Sequence, residues 1–221
     1  MKVVRYIVLI LSAVLFVSAG NAQVSNSDPR YTLYGGGNFP LGDYGNTLGS
    51  DAGFAEFGLG AMADGYKQIN EILYWTTTMA ITGNGFNEAG LQSALSELGV
   101  LGVNAENYLT AWALSGVEIR STPSRNLQIN GILQGGALLS RFPDITLSTG
   151  EGDVRQGTKM GTSLAIGLGG GLIYNSVNIG LRYYRGRPEY DQATSDGNST
   201  STATTKLPIE ILQVVIGYQL K

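Results

Sequence analysis

Glu56, Glu118, Arg120, Arg182 and the run Gly167-Leu168-Gly169-Gly170-Gly171 have the strongest claim to chemistry in this 221-residue chain. Two carboxylates can divide acid and base work when burial or a like charge keeps one of them protonated. Beside arginines the same carboxylates form ion pairs, and that is the role favoured here for Glu56 and Glu118. The chain contains no histidine and no cysteine. A serine or threonine nucleophile therefore lacks its usual activating base, thiolate chemistry is absent, and zinc would find carboxylates alone. No catalytic residue, cofactor-binding residue or metal ligand is assigned, and the chain is expected not to be an enzyme.

The glycine run invites a nucleotide reading, which requires G-x-G-x-x-G between a strand and a helix and an acidic residue about 20 positions later. Spacing and context both fail. Along Gly161 to Tyr174 the even positions carry Thr162, Leu164, Ile166, Leu168, Leu172 and Tyr174, whereas the odd ones are mostly glycine, serine or alanine. A period of two belongs to a strand. After Asn175-Ser176 the pattern restarts with Val177, Ile179, Leu181 and Tyr183 opposite Asn178, Gly180, Arg182 and Tyr184. The stretch is thus an amphipathic hairpin, with the glycines relieving crowding on one face.

The elements that must hold these residues follow from the rest of the chain. Lys2 and Arg5 precede an apolar run from Tyr6 to Val17 and then Ser18-Ala19-Gly20-Asn21-Ala22, the layout of a cleavable secretory signal peptide over residues 1–22. The run is too short for a spanning helix, which needs about 20 apolar residues. Lys2 and Arg5 are the only charges in that leader, so 12 of 14 basic and all 17 acidic side chains remain in 23–221, a net charge of −5. No basic stripe survives to attract nucleic acid. Hydrophobic residues make up 43% of the chain in short alternating segments, against a disordered reading.

Eight strands are expected, near residues 31–39, 53–63, 72–82, 108–120, 126–140, 160–174, 176–184 and 207–220. Short links at 64–71, 121–125 and 175–176 alternate with long ones at 40–52, 83–107, 141–159 and 185–206, rich in Gly, Ser, Thr, Asn and Asp. Long links at one end and short turns at the other describe an all-β, eight-stranded antiparallel up-and-down transmembrane barrel. The competing fold is a soluble secreted sandwich or lipocalin-like barrel, which would turn its apolar face inward. Here the small and polar face, with Glu56, Glu118, Arg120, Gln134, Arg182 and Gln213, makes a poor core and a plausible lumen. Leu164, Ile166, Leu168, Leu172, Val177, Ile179 and Leu181 then face lipid, and Tyr31, Trp75, Trp112, Tyr174 and Tyr218 are candidate interface anchors. In the second long link Leu91, Leu95 and Leu98 fall at helical spacing, which predicts a short amphipathic helix over the mouth. Residues 195–205 read as a mobile Ser/Thr tract, and Asn198-Ser199-Thr200 as an accidental glycosylation sequon.

YTLYGGGNFPLGDYG at 31–45, GFAEFGLGAMADGYK at 53–67 and ILQVVIGY at 211–218 resemble the first hairpin and last strand of small outer-membrane barrels of the OmpA and OmpX type, particularly versions from Bacteroidetes-like bacteria. The resemblance implies residence in the outer membrane, contact with its lipid, and insertion by the barrel-assembly machinery. Many such barrels end on an aromatic residue that this machinery reads, whereas this chain finishes Gln219-Leu220-Lys221. Tyr218 lies three positions before the end. No peptidoglycan-binding domain is expected after the barrel, so the cell-wall tether of larger OmpA relatives is not implied. Outer-membrane barrels that act as proteases, phospholipases or lipid A deacylases resemble one another in using a histidine, which this chain lacks. The expected role is structural or one of surface interaction through four long loops. A narrow pore for ions or small solutes and a soluble ligand-binding barrel are the alternatives.

Overall fold

Alternating side chains produce thirteen strands in this computed structural model, which describes residues 30–49, 51–150, 152–195 and 199–220. The leader at 1–22 and Asn198 of the sequon lie outside the described residues. In chain order the strands are β1 (Arg30–Pro40), β2 (Ala55–Gln68), β3 (Leu73–Phe86), β4 (Val100–Ala105), β5 (Tyr108–Ser124), β6 (Leu127–Arg141), β7 (Ile145–Thr149), β8 (Gly152–Thr158), β9 (Gly161–Tyr174), β10 (Val177–Gly186), β11 (Glu189–Ser195), β12 (Thr200–Lys206) and β13 (Ile209–Leu220). Two short helices, α1 (Gly42–Gly45) and α2 (Glu88–Ala94), occupy the first two long links.

Eight of the strands close into a barrel. Each of β1, β2, β3, β5, β6, β9, β10 and β13 pairs antiparallel with its sequence neighbour in that series, and β13 returns to β1. Starting at Arg30 and stepping across, the pairs run Tyr66, Thr76, Gly116, Gln134, Gly167, Tyr184, Ile211 and back to β1 at Pro40. Forty minus thirty gives a stagger of ten residues for eight strands. With ~3.3 Å per residue and ~4.8 Å between strands this fixes a tilt of about 40°. Closure leaves no edge inside the wall, so backbone polar groups are paired where water is excluded.

The turns explain where the strands end. Asn175 takes a left-handed conformation at φ 56°, and Tyr174 pairs with Val177 across a two-residue turn. Asn tolerates that region better than most residues. Pro123 lies where the β5–β6 register shifts between Ser121 and Ser124, an irregularity that accommodates a residue without a backbone donor.

Four expectations are corrected. The β2–β3 turn is shorter than 64–71, because β2 runs on to Gln68 and carries Asp64 and Tyr66 inward. The long links are not plain loops: β4, β7, β8, β11 and β12 pair in the order β12-β11-β8-β7-β4 and extend the barrel's own sheet, which they join where Glu189 of β11 pairs with Thr162 of β9. The Ser/Thr tract supplies β12, because β-branched threonines suit a strand hydrogen-bonded to β11. The predicted amphipathic helix stops after Ala94, and only Leu91 of its three leucines packs on the buried cluster; a 3-10 turn and Gly99 at φ 78° then break the helical spacing.

Candidate functional site

Inward positions of the eight strands fill the lumen in two zones. Toward the short turns the filling is polar. Arg120 donates to Glu118 through both Nε (2.7 Å) and Nη2 (3.0 Å), and the Asn130 amide donates to the same carboxylate at 2.8 Å. The Arg120 guanidinium lies 4.0 Å from the ring of Tyr66 and 4.5 Å from that of Tyr74, so its faces meet aromatic π-density. A second pair stands beside it. Arg182 Nη2 donates to Asp64 Oδ2 at 3.1 Å, and the Thr78 hydroxyl donates to Oδ1 at 2.6 Å. Arg182 extends over Gly169, where an added Cβ would come within 2.6 Å of its side chain. That close approach is the structural reason for one glycine of the run first considered as a phosphate loop.

Toward the long links the filling is aromatic. Tyr108 forms the hub, with ring centroids 4.9 Å from Tyr44, 5.3 Å from Phe142 and 6.1 Å from Phe86. Phe86 in turn meets Phe54, and Phe142 meets Tyr190. Tyr108 donates to the Gly53 carbonyl at 2.6 Å and Tyr190 to the Ser140 hydroxyl at 2.8 Å, which ties the first and last long links to the barrel strands. Beneath this cap Trp112 stacks on Tyr184 at 5.3 Å. The lumen is thus occupied along its length by side chains, in keeping with the narrow bore of an eight-stranded barrel.

Of the residues expected in the lumen, the structure brings Glu118, Arg120, Gln134, Arg182 and Gln213 inward and buries them. Glu56 is not among them. Ala55 pairs with Phe86 and Gly58 with Asn84, so β2 holds an extra residue there and the bulge turns Glu56 outward into an exposed position. It cannot pair with Arg120 or Arg182, and Asp64 takes the second carboxylate role. Asp64-Gly65 reads as a turn signal, which masked an inward residue whose parity matches Met62 and Tyr66. Trp112 is also corrected: it is 1% exposed inside the lumen, because it shares parity with Tyr108, Thr110 and Leu114. Tyr31, Trp75, Tyr174 and Tyr218 do lie on the outer surface, all at the short-turn end.

The outer wall decides what surrounds the barrel. Leu164, Ile166, Leu168, Leu172, Val177, Ile179 and Leu181 are all exposed, Leu164 to 88%, while Asn130, Glu118 and Arg182 are buried. A water-soluble protein would not leave so broad an apolar band uncovered. The band, ringed by aromatics and closed over a polar interior, is a lipid-facing surface. This is the fold of a small outer-membrane barrel. Among solved structures it is similar to a major outer membrane protein from Thermus thermophilus, at 8% identity and TM-score 0.51 over 88% of this chain and all of that one. It is also similar to OprG from Pseudomonas aeruginosa (10% identity, TM-score 0.48, 86% and 95% of the two chains) and to the attachment invasion locus protein of Yersinia pestis (12%, 0.43, 87% and 97%). No protein-family model matches the chain, and a search of characterised proteins finds no match by sequence.

The aromatic cap makes a prediction of its own. Burial holds the Tyr44 and Tyr190 phenols above the ordinary tyrosine range, and for Tyr44 the neighbouring Tyr190 adds to the effect. A phenol whose pKa rises on folding contributes fully below its unfolded value of about 10 and loses that contribution as pH climbs above it. Near-UV ellipticity should therefore stay constant from about pH 5 to 9 and collapse above about 10. A signal that fades gradually through neutral pH would show that these rings are not packed.

Proposed function

We propose that this protein is a non-catalytic outer-membrane anchor that holds a five-stranded extension of its sheet beyond the barrel as a contact surface, its lumen closed to solutes. It is exported through a cleaved leader at 1–22 and inserted by the assembly machinery, and its standing partner is outer-membrane lipid. The observation that carries this reading is the division of labour in the chain. Ion pairs and an aromatic cap fill the barrel, while the second, third and fourth long links supply β4, β7, β8, β11 and β12. Loops that served only to join barrel strands would need no such sheet. The role of a narrow pore is less well supported, because the cap rings and the Trp112–Tyr184 stack lie across the passage.

Two measurements test the proposal. Protease added to intact cells should cut within the β7–β8 and β11–β12 hairpins and spare the turns at 125–126 and 175–176. Cleavage confined to those turns would invert the orientation. In planar bilayers the purified barrel should give no steady current, and large sustained conductance abolished by a bulkier lumen would favour the pore.

A further inference from the structure

The strands outside the barrel continue its wall. β4 leads into β5 and β12 into β13, β11 follows β10, and β7 and β8 stand between β6 and β9, each joined to its barrel strand by two or three residues. The wall thus rises past the rim on one side only, and the risen part has two edges, β4 and β12. These edges are finished differently. Along β4 the backbone groups that β7 does not take are covered by α2: the Ala105 amide donates to Glu88 Oε1 at 2.7 Å, and the Gln92 side chain donates to the Leu101 carbonyl at 2.8 Å. No helix or side chain covers β12 in this way among the described residues. Its seven residues, Thr200 to Lys206, are all exposed and pair with β11 alone, without a register shift. It has no proline, and its single charge, Lys206 at the foot, is engaged with Glu189. An edge about 23 Å long, at ~3.3 Å per residue, is left open to another strand.

The contrast between the edges selects the strand that fits. With β4 capped, β12 of one copy cannot join β4 of the next, so head-to-tail growth is blocked and only β12 can meet β12. A two-fold axis sets two identical edges antiparallel. The register centred on Ala203 is the one that overlaps all seven residues: Ala203 meets its own copy, Thr202 meets Thr204, Ser201 meets Thr205, and Thr200 meets Lys206. Hydroxyl pairs of this kind favour strand association, and no like charges stand opposite. Strand direction then places the second copy. β12 shares the sheet of β11 and leads into β13, so it stands up from the membrane, and copies in one membrane all carry it in the same sense. They cannot pair antiparallel; an inverted copy can. We infer that β12 pairs with β12 of a second copy held in a facing membrane, a homotypic bridge between cells.

This inference rests on the contact-surface reading and names its partner. The full protein is reconstituted in phosphatidylcholine vesicles, and turbidity reports their aggregation. Wild-type vesicles should aggregate. Ala203→Lys and Ala203→Glu each set like charges against one another at the two-fold, and each should abolish the turbidity. Mixing the two variant populations should restore it, because unlike charges then meet, and that restoration also shows that both variants are folded. The free peptide of residues 200–206, which leaves the barrel untouched, should disperse wild-type vesicles. Aggregation indifferent to the peptide overturns the inference, as does Ala203→Lys aggregating like wild type. Wild type that floats with the vesicles but stays dispersed overturns the inference alone, and leaves a foreign strand as the candidate for this edge. Failure to float would overturn the membrane reading with it.

Discussion

Asp64→Ala should destabilise the folded barrel by about 3–5 kcal/mol, the cost of leaving a buried charge without its partner. Asp64 is 2% exposed, and its carboxylate accepts from both Arg182 and Thr78. Removing it leaves the Arg182 cation in a lumen from which water is largely excluded, with Nε and Nη1 already lacking protein acceptors among the described residues. The measurement is the urea midpoint for unfolding from detergent micelles, followed by gel mobility. The double variant Asp64→Leu/Arg182→Met removes both charges and should recover most of the loss, because a buried pair contributes little against apolar side chains of similar size. Equal damage from the single and double variants would show that packing, not charge, is what matters at this position. Glu118→Ala should cost less than Asp64→Ala, because Arg120 keeps the rings of Tyr66 and Tyr74 on its faces.

Trp112→Ala is expected to cost about 3–5 kcal/mol as well, through a cavity rather than a charge. The indole is 1% exposed, stacks on Tyr184 and donates from Nε1 to the Thr110 hydroxyl at 3.1 Å. Its neighbours sit on hydrogen-bonded strands, so the wall cannot collapse to fill the space. Trp75→Ala provides the comparison. That residue faces outward at the aromatic ring, and its removal should shift the unfolding midpoint by a small fraction of the Trp112 effect. If the two tryptophans proved equally sensitive, the assignment of Trp112 to the lumen and Trp75 to the surface would fail.

These contrasts also show what the sequence could and could not reveal. The eight barrel strands and the split into a buried polar face and an outward apolar face were legible because a period of two is local: each side chain's face follows from its neighbour's. The errors occur where that rule is interrupted. A bulge after Ala55 reversed Glu56, and an Asp-Gly pair that usually marks a turn hid Asp64 within a strand. Trp112 was misread by residue type, since a tryptophan near a membrane surface resembles an anchor until its parity is checked against Tyr108 and Leu114. The aromatic cap had no local signal at all. Tyr44, Phe54, Phe142 and Tyr190 come from three separate links and Phe86 from the end of β3, and they meet only through closure of the barrel. The outer sheet escaped notice because threonine and serine in β12 match the composition of a loop. Two of its pairings, β4 with β7 and β8 with β11, join different links, as where Gln192 of β11 meets Thr158 of β8, and those meetings exist only in three dimensions.

The seam between β1 and β13 has a consequence for the order of events. Tyr31 pairs with Leu220, a separation of 189 positions, so the circumference cannot be completed until the final strand has been delivered. Loop-closure entropy makes this the slowest contact to form, and every other strand pair can assemble before it. Until then β1 and β13 each present a bare edge, and ILQVVIGY is an apolar segment capable of pairing with another chain. Biogenesis is therefore a race between sealing and aggregation, and a chaperone that shields the last strand would determine the yield.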